Sequence, residues 1–394
     1  MGRSQPARRI VVALALIPCL LAPLAAGASQ RRVGAWQDVP RHYWAHAAID
    51  FVGARHPWMR DYGATHFHPD NLETRRYLAH AMVMAFAPNE RENRKITFND
   101  LAQTDPFYPY ANIAVKLHWM TKVHGNFLPE KPVTTTELHI ALVSALGLGR
   151  VAAGFNHIHT TNGYHFSHPR HVGGLEVGML LGLRYNHANE SLDVGPDTKL
   201  PRSEVAWSLW RAYITKTQQQ WRITSLQGYR NVALPPLSPA MKKVVQFGLR
   251  YIGYPYVYAG DWFRPTALGY CCGQQAVGGF DCSGLTWWLM KAPSGGWDNT
   301  RVRGYEGWPL PQRSSQEMAS VGTKIRFRGL KPGDLMFYDD GSGHGIDHVD
   351  TYVGSGYALD SSDGVGGVTL LRVDSGWYRQ HFVHGRRIIP RLQQ

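Results

Sequence analysis

The sequence predicts two structured units, a helical one followed by an α+β one. Two observations indicate this division. Helical elements repeat weakly three times between residues 36 and 214, and strand-like alternation appears only in the segment 240–394. A polar, Pro-containing stretch at 215–239 separates them and is predicted to be a linker. The 394 residues are too many for one ordinary hydrophobic core, which agrees with two units.

The N-terminal segment has the three parts of a signal peptide. Arg3, Arg8 and Arg9 precede an apolar stretch at 10–26, and Ala26-Gly27-Ala28 follows as a small-residue cleavage site. We therefore expect residues 1–28 to be removed and the chain to be secreted. An uncleaved membrane anchor is the alternative. No later apolar run is long enough to span a bilayer, so we expect no transmembrane segment after cleavage.

The charge and the cysteine count limit the classes of partner and chemistry. A formal net charge of +13 favours polyanions, and export favours acidic wall polymers or anionic lipid headgroups over nucleic acid, for which no binding motif is present. Cys271, Cys272 and Cys282 remain after cleavage. An odd number leaves at least one thiol free or paired between molecules. Whether Cys271 and Cys272 form a disulfide stays open.

Each helical repeat has an aromatic-x-Asp opening, an aromatic-x-Pro element and a polar step into a second helix. The copies are predicted at about 36–90, 98–150 and 165–214, and the steps are Thr-Arg-Arg-Tyr at 74–77, Thr-Thr-Thr-Glu at 134–137 and Pro-Arg-Ser-Glu at 201–204. These elements resemble the S-layer homology (SLH) repeat, an all-α module that holds exported proteins on secondary cell-wall polymers. The resemblance implies a polymer site that involves Arg75 and Arg202. The alternative is a helical spacer or a packing partner for the second unit.

The second unit contains a cysteine and a histidine in positions suited to nucleophilic catalysis. Gly279-Phe280-Asp281-Cys282-Ser283-Gly284 leads into an amphipathic helix, and a helix N-terminus favours the reactive thiolate. His348 begins a predicted strand, and a three-residue loop at 354–356 would pair residue 350 with 360. His348 and Asp360 would then share a face of the sheet, whereas a loop shorter by one residue would turn Asp360 away.

Four segments of this unit, taken in order, strongly resemble the NlpC/P60 family: Pro255-Tyr256 with Gly260, Asp281-Cys282-Ser283-Gly284, Leu330-Lys331-Pro332-Gly333-Asp334-Leu335, and His348-Val349 with Tyr352 and Gly354. The resemblance implies a papain-like α+β fold over residues 240–394, with an antiparallel sheet packed on helices. It implies a cysteine peptidase without a cofactor that cuts peptidoglycan stem peptides at the cell wall, at the bond between D-Glu and the diamino acid.

The same resemblance assigns roles to residues of this chain. Cys282 is the nucleophile, His348 the base and Asp360 the orienting third residue. Asp350 is the competitor for the third role, because it lies on the same predicted sheet face as His348. Tyr256, Asp281 and Ser283 are expected at the substrate and oxyanion side.

Two alternatives remain. His344 and His348, with the nearby aspartates, could belong to a metal-dependent hydrolase. A wall-binding protein with a decayed peptidase fold would keep the export signal, the charge and the repeats.

Overall fold

A computed structural model describes residues 36–63, 65–265, 277–291, 307–308, 310–343 and 345–394. The predicted signal peptide, Cys271, Cys272 and His344 lie outside these residues. Within the described part, no helix combines the length and the apolar character needed to cross a membrane.

Helices dominate the first half of the chain and strands the second. The helices are α1 His46–Ile49, α2 Arg75–Phe86, α3 Tyr108–Lys116, α4 Thr135–Ala145, α5 Gly149–Phe155, α6 Val172–Leu180, α7 Arg202–Gln218, α8 Gln220–Ser225, α9 Pro239–Gly248, α10 Cys282–Lys291, α11 Ser315–Ser320 and α12 Gly376–His381. The strands are β1 His159–Thr160, β2 Ala233–Leu234, β3 Asp261–Trp262, β4 Gly279–Phe280, β5 Thr323–Ile325, β6 Leu335–Tyr338, β7 His348–Gly354, β8 Tyr357–Ser362, β9 Gly367–Arg372 and β10 Phe382–Arg387.

The three predicted polar steps meet in a cyclic set of backbone hydrogen bonds. The amide of Glu73 donates to the carbonyl of Leu200, Leu200 donates to Val133, and Val133 donates to Glu73, each at 2.9 Å. The residue two positions before a helix start in each copy is therefore hydrogen-bonded to its equivalent in each of the other two. The three segments are structurally equivalent at this step and form a pseudo-threefold arrangement.

In the first two copies, the two recurring elements of the repeat motif are hydrogen-bonded to each other. The carboxylate of Asp38 accepts the amides of Phe67 and His68, and that of Asp100 accepts the amides of Phe127 and Leu128. The aromatic-x-Asp opening thus closes the aromatic-x-Pro turn of its own copy. This explains why the two elements occur together.

Arg75 and Arg202, expected to face a wall polymer, are buried instead. The guanidinium of Arg202 is 1% exposed, pairs with Asp61 and Glu73 and donates to the carbonyl of Phe67. Arg75 is 5% exposed in its side chain and donates to the carbonyls of Phe127 and Thr121. Each arginine joins its own helix start to the turn of a neighbouring copy, so its charge is used inside the protein rather than presented at the surface.

The C-terminal unit is built on a six-stranded antiparallel sheet with the strand order β5-β10-β6-β7-β8-β9. Helix α10 packs on β7 and β8, and α9 lies against α10. The α+β class and the antiparallel sheet on helices agree with the sequence prediction.

The edge strand β9 is covered by side chains from α6 and from the segment 215–239. The amide of Leu370 donates to Glu176 Oε1 on α6, and the amide of Arg372 donates to the hydroxyl of Tyr229. Covering an edge in this way removes a row of unpaired donors that would otherwise template aggregation. Glu176 is fully buried, and burial raises its pKa well above the ordinary value.

Arg184 forms a second connection between the helical segment and the C-terminal one. Its side chain is buried and donates to the carbonyl of Val194 at 3.0 Å, to that of Gly253 at 2.6 Å and to that of Gly366. Val194 occupies the position in the third copy that Phe67 and Phe127 occupy in the first two. The carbonyl of Phe67 accepts from Arg202, the first residue of α7, and the carbonyl of Phe127 accepts from Arg75, the first residue of α2. By the same pattern, the first residue of α4 would donate to the carbonyl of Val194, but that residue is Thr135 and not an arginine. Arg184 donates to this carbonyl instead.

The segment 215–239, predicted from its composition to be a linker, contains regular secondary structure. It contains the end of α7, all of α8 and the strand β2, which pairs with β1 of the helical unit. Val232 and Leu234 are fully buried. Because polar residues separate its apolar ones, the sequence pattern did not indicate that this segment is packed. The residues Ala35–Gln394 form one compact unit.

Candidate active site

Helix α10 begins at Cys282, as predicted, and Asp281 caps it. The Asp281 carboxylate accepts the backbone amide of Gly284 and, at 2.9 Å, the hydroxyl of Ser283. Side-chain capping of this kind fixes the first turn of a helix. The Cys282 thiol is free and its residue is 8% exposed, so it sits at a rigid helix start with its sulfur close to the surface of a pocket.

Arg313 supports the same turn from the loop before α11. Its guanidinium donates to the Ser283 hydroxyl at 2.9 Å and lies 3.5 Å from Asp261 and 3.7 Å from Asp281. Asp281 and Ser283 were expected at the substrate and oxyanion side. The structure places them in this buried network behind the nucleophile, where their side chains stabilise the turn that carries it.

The β7–β8 hairpin has the predicted register but a different loop. Thr351 pairs with Leu359 and Tyr352 with Ala358, which places residue 350 opposite residue 360. The turn itself has two residues, Ser355 and Gly356, both with positive φ, and an irregularity between Tyr352 and Gly354 adds one residue to β7. The bulge restores the register that a two-residue loop alone would have shifted.

His348 lies over two buried carboxylates. Its Nε2 atom is 3.1 Å from Asp350 Oδ1 and 2.9 Å from Asp360 Oδ1, and both aspartates are 0% exposed. The Asp360 Oδ2 atom also accepts the hydroxyls of Ser362 and Tyr378, each at 2.9 Å. Because Nε2 faces the carboxylates, Nδ1 is the ring nitrogen that remains for chemistry with a thiol.

The carboxylates set the protonation of the imidazole. Burial alone would lower the pKa of His348, but Asp350 and Asp360 together raise it well above the ordinary value. Burial and the neighbouring charge of Asp360 raise the pKa of Asp350 to about 7. Burial opposes ionisation of Asp360, yet the contacts with His348, Asp350 and Ser362 keep its pKa below the ordinary value.

Cys282 and His348 line one open pocket of about 540 Å³. Tyr256 also lines this pocket, and burial followed by the proximity of Cys282 raises the pKa of its hydroxyl. The Cys282 sulfur lies 3.9 Å from the carbonyl oxygen of Asp347. The remaining lining residues are Asp340, Asp347, Ser362, Asp363, Gly364, Val365, Trp377 and Tyr378.

His348, Asp350 and Asp360 are also the described groups that could hold a cation, since one donor atom from each lies within 4.8 Å of the others. The Nε2–oxygen separations of 2.9 and 3.1 Å are ordinary N–H···O distances, and Asp360 already accepts two hydroxyls. We therefore interpret the cluster as a hydrogen-bonded acid–base network.

Several residues of this site escaped prediction from the sequence. Arg313 is 30 residues from Ser283, and no local motif links it to the nucleophile. Tyr378 and Trp377 come from α12, beyond the last recognised motif. Their aromatic side chains near the C-terminus were the available signal, but a sequence does not show which sheet face such residues cover.

Comparison with known proteins agrees with this geometry. Residues 253–387 match the family model described as "NlpC/P60 family". The chain is 31% identical over 147 residues to the gamma-DL-glutamyl hydrolase of Bacillus subtilis, a match that spans 37% of this chain and 29% of that protein. It is 32% identical over 146 residues to the bifunctional muramidase/DL-endopeptidase CwlT of Bacillus subtilis, which spans 37% and 36%.

One similar solved structure is RipD of Mycobacterium tuberculosis, described as a non-catalytic NlpC/p60 domain protein adapted to peptidoglycan binding. It is 27% identical, with a TM-score of 0.28, and the match covers 39% of this chain and 99% of that one. The chain spans about a third of the length of the two curated relatives. Residues 253–387 thus form an NlpC/P60 domain, at the C-terminal end of the described chain.

Proposed function

We propose that this protein is a peptidoglycan hydrolase, a cysteine endopeptidase that cleaves stem peptides through a thioester. One observation carries the proposal: Cys282 at a helix N-terminus and His348 on a carboxylate pair line the same pocket. The similarity to wall hydrolases and endopeptidases supports the substrate class. As the exact bond we propose the link between D-Glu and the diamino acid of the stem.

The proposed reaction has two steps of acyl transfer. His348 Nδ1 accepts the thiol proton of Cys282, and the sulfur attacks the scissile carbonyl. Asp360 holds the ring through Nε2 and stabilises the imidazolium that forms. The imidazolium then gives its proton to the leaving amine, and a water activated by His348 hydrolyses the thioester.

The start of α10 is suited to stabilise the negative oxygen in each step. The backbone amide of Cys282 lies in the first turn, where amides lack partners within the helix and the helix dipole favours negative charge. We propose this amide as one donor to the oxyanion. Tyr256 contributes to the same pocket and positions the substrate.

We further propose that the protein is secreted and that the helical unit holds it at the wall through anionic secondary polymers, as the SLH resemblance implies. The chain's net charge of +13 supports such a partner. Because Arg75 and Arg202 are buried, a polymer that binds this unit would contact other cationic side chains. The direct test is binding of purified wall polymer to the mature protein, with salt dependence as the readout.

Digestion of purified sacculi tests the enzyme proposal. Wild-type protein should release fragments that mass spectrometry identifies as cut stem peptides, and Cys282→Ala should release essentially none. If both proteins release the same fragments, the cysteine mechanism is wrong. Chelator-sensitive hydrolysis by the alanine variant would favour the metal-dependent alternative, and binding of sacculi without release by either protein would favour the non-catalytic wall-binding alternative.

A further inference from the structure

A catalytic triad of Cys282, His348 and one carboxylate would need a single aspartate beside the imidazole, but His348 contacts two. Asp350 and Asp360 lie opposite each other on β7 and β8, and both contact the same ring nitrogen. Both are 0% exposed. A role for this second carboxylate in catalysis rests on the proposed cysteine peptidase function.

We propose that Asp350 and Asp360 act as one unit that shares a single proton, with Asp350 as a positioning residue that holds Asp360 under the imidazole. The pair would then carry one negative charge in total. The protonated carboxyl donates to the ionised one, and the ionised one accepts from the Nε2–H of His348.

The contacts of the two side chains differ in a way that fits this division. Asp360 Oδ2 accepts from Ser362 and Tyr378, and hydroxyl donors favour an ionised acceptor. Each carboxyl also keeps one buried oxygen without a hydrogen-bond partner among the described residues, Oδ2 in Asp350 and, apart from its ion pair with His348, Oδ1 in Asp360. A buried carboxyl costs less free energy when it is protonated, and the two hydroxyl donors favour the ionised form of Asp360, which assigns the proton to Asp350.

The surroundings offer little to balance a second negative charge. Tyr338 on β6, Tyr378 on α12 and Glu176 on α6 also lie within electrostatic range of the pair, and none of them is a cation. In the part of the chain that the structure describes, the positive charge facing the pair comes from His348, and only when it is protonated. Two adjacent carboxylates facing one imidazolium cannot both ionise without a large desolvation cost. The raised pKa of Asp350 and the lowered pKa of Asp360 agree with a single shared proton.

A double-substitution cycle tests the proposal through activity. In Asp350→Asn the amide donates to Asp360, and in Asp360→Asn the amide donates to Asp350, so each variant keeps one negative charge under the ring. Each single variant should lower kcat/KM by about tenfold or less, because the imidazolium remains stabilised. The double variant removes the charge and should lose about 10³-fold or more. An Asp360→Asn variant as inactive as the double variant would overturn the proposal.

Infrared difference spectroscopy tests the shared proton without using activity. Other buried acids such as Glu73 and Glu176 also absorb at pH 6, so the signal is the difference between wild type and variant. That difference should show the carbonyl stretch of one protonated carboxylic acid that is lost in Asp350→Asn. The same band should disappear in Asp360→Asn, because Asp350 ionises when its acidic partner is gone. Asp197→Asn, at an exposed carboxylate that does not line the pocket, is the control and should keep the band.

The two kinds of failure are distinguishable. If Asp350 is protonated only because it is buried, the band persists in Asp360→Asn and the shared unit is refuted, whatever the enzyme does. If the band behaves as expected in a protein that digests no sacculi, the proposed function fails and the paired acid stands. Thermal unfolding of each variant shows which samples are folded, and the infrared comparison is made on those.

Discussion

Arg184 is predicted to hold the C-terminal segment against the helical one, and its removal should destabilise the protein strongly. Its side chain is buried and donates to the carbonyls of Val194, Gly253 and Gly366. Burial lowers its pKa to about 10, so it remains charged at neutral pH. Arg184→Met fills a similar volume but leaves three carbonyls without this donor.

The magnitude follows from the unsatisfied acceptors. The carbonyl of Gly366 keeps the amide of Tyr256 as a donor, so two carbonyls, those of Val194 and Gly253, lose their partner. Each such group costs roughly 1–3 kcal/mol, which gives roughly 2–6 kcal/mol for two. Single substitutions seldom exceed about 5 kcal/mol, because water enters and the backbone adjusts. We therefore expect a loss of about 2–5 kcal/mol in the free energy of unfolding for Arg184→Met.

Urea unfolding followed by circular dichroism measures this change through the shift of the midpoint. Arg150→Met, at an exposed arginine of the helical unit, is the matched control and should change stability by less than about 0.5 kcal/mol. If Arg184→Met unfolds at the same urea concentration as Arg150→Met, the reasoning about the buried carbonyls is wrong.

Two other predictions concern buried groups near the repeat axis and the nucleophile. Burial raises the pKa of Glu73 to about 7, so the folded state binds a proton on this carboxyl more tightly than the unfolded state does. The contribution of Glu73 to stability therefore falls as the pH rises from about 4.5 to about 7. The stability of Glu73→Gln relative to wild type should therefore increase as the pH rises above about 4.5, by about 3 kcal/mol in total at pH 8. Thermal or urea unfolding at several pH values measures this difference, and a difference that does not change with pH would contradict the assignment. A Cβ at Gly284 would collide with the carbonyl oxygen of Gly260, so Gly284→Ala should shift the start of α10 and lower kcat by about 10²-fold, whereas a variant with normal kcat would show that the turn adapts.

The sequence predicted the C-terminal unit better than the helical one, for a physical reason. Alternating residues, a helix start and turn glycines report local geometry, so α10, β7 and the register of the β7–β8 hairpin followed from short segments. The bulge before Gly354 could not be predicted, because a bulge and a longer loop can give the same pairing of Asp350 with Asp360.

Contacts between distant segments were beyond the sequence. Arg75 and Arg202 look like surface cations in a repeat motif, yet their partners lie 52 and 135 residues away, at Phe127 and Phe67. Arg184 likewise contacts Gly366, 182 residues away. Charged residues are buried only where such partners exist. A sequence taken alone therefore assigns these arginines to the surface.

A covalent thioester on Cys282 is the step on which the proposed mechanism depends, and partitioning with an added amine tests for it. Two stem peptides with the same acyl part and different leaving groups are hydrolysed in the presence of hydroxylamine, and the products are quantified by mass spectrometry. A common thioester predicts hydroxamate alongside the acid, in the same ratio for both peptides. Formation of the acid alone, or a ratio that depends on the leaving group, would contradict the thioester mechanism.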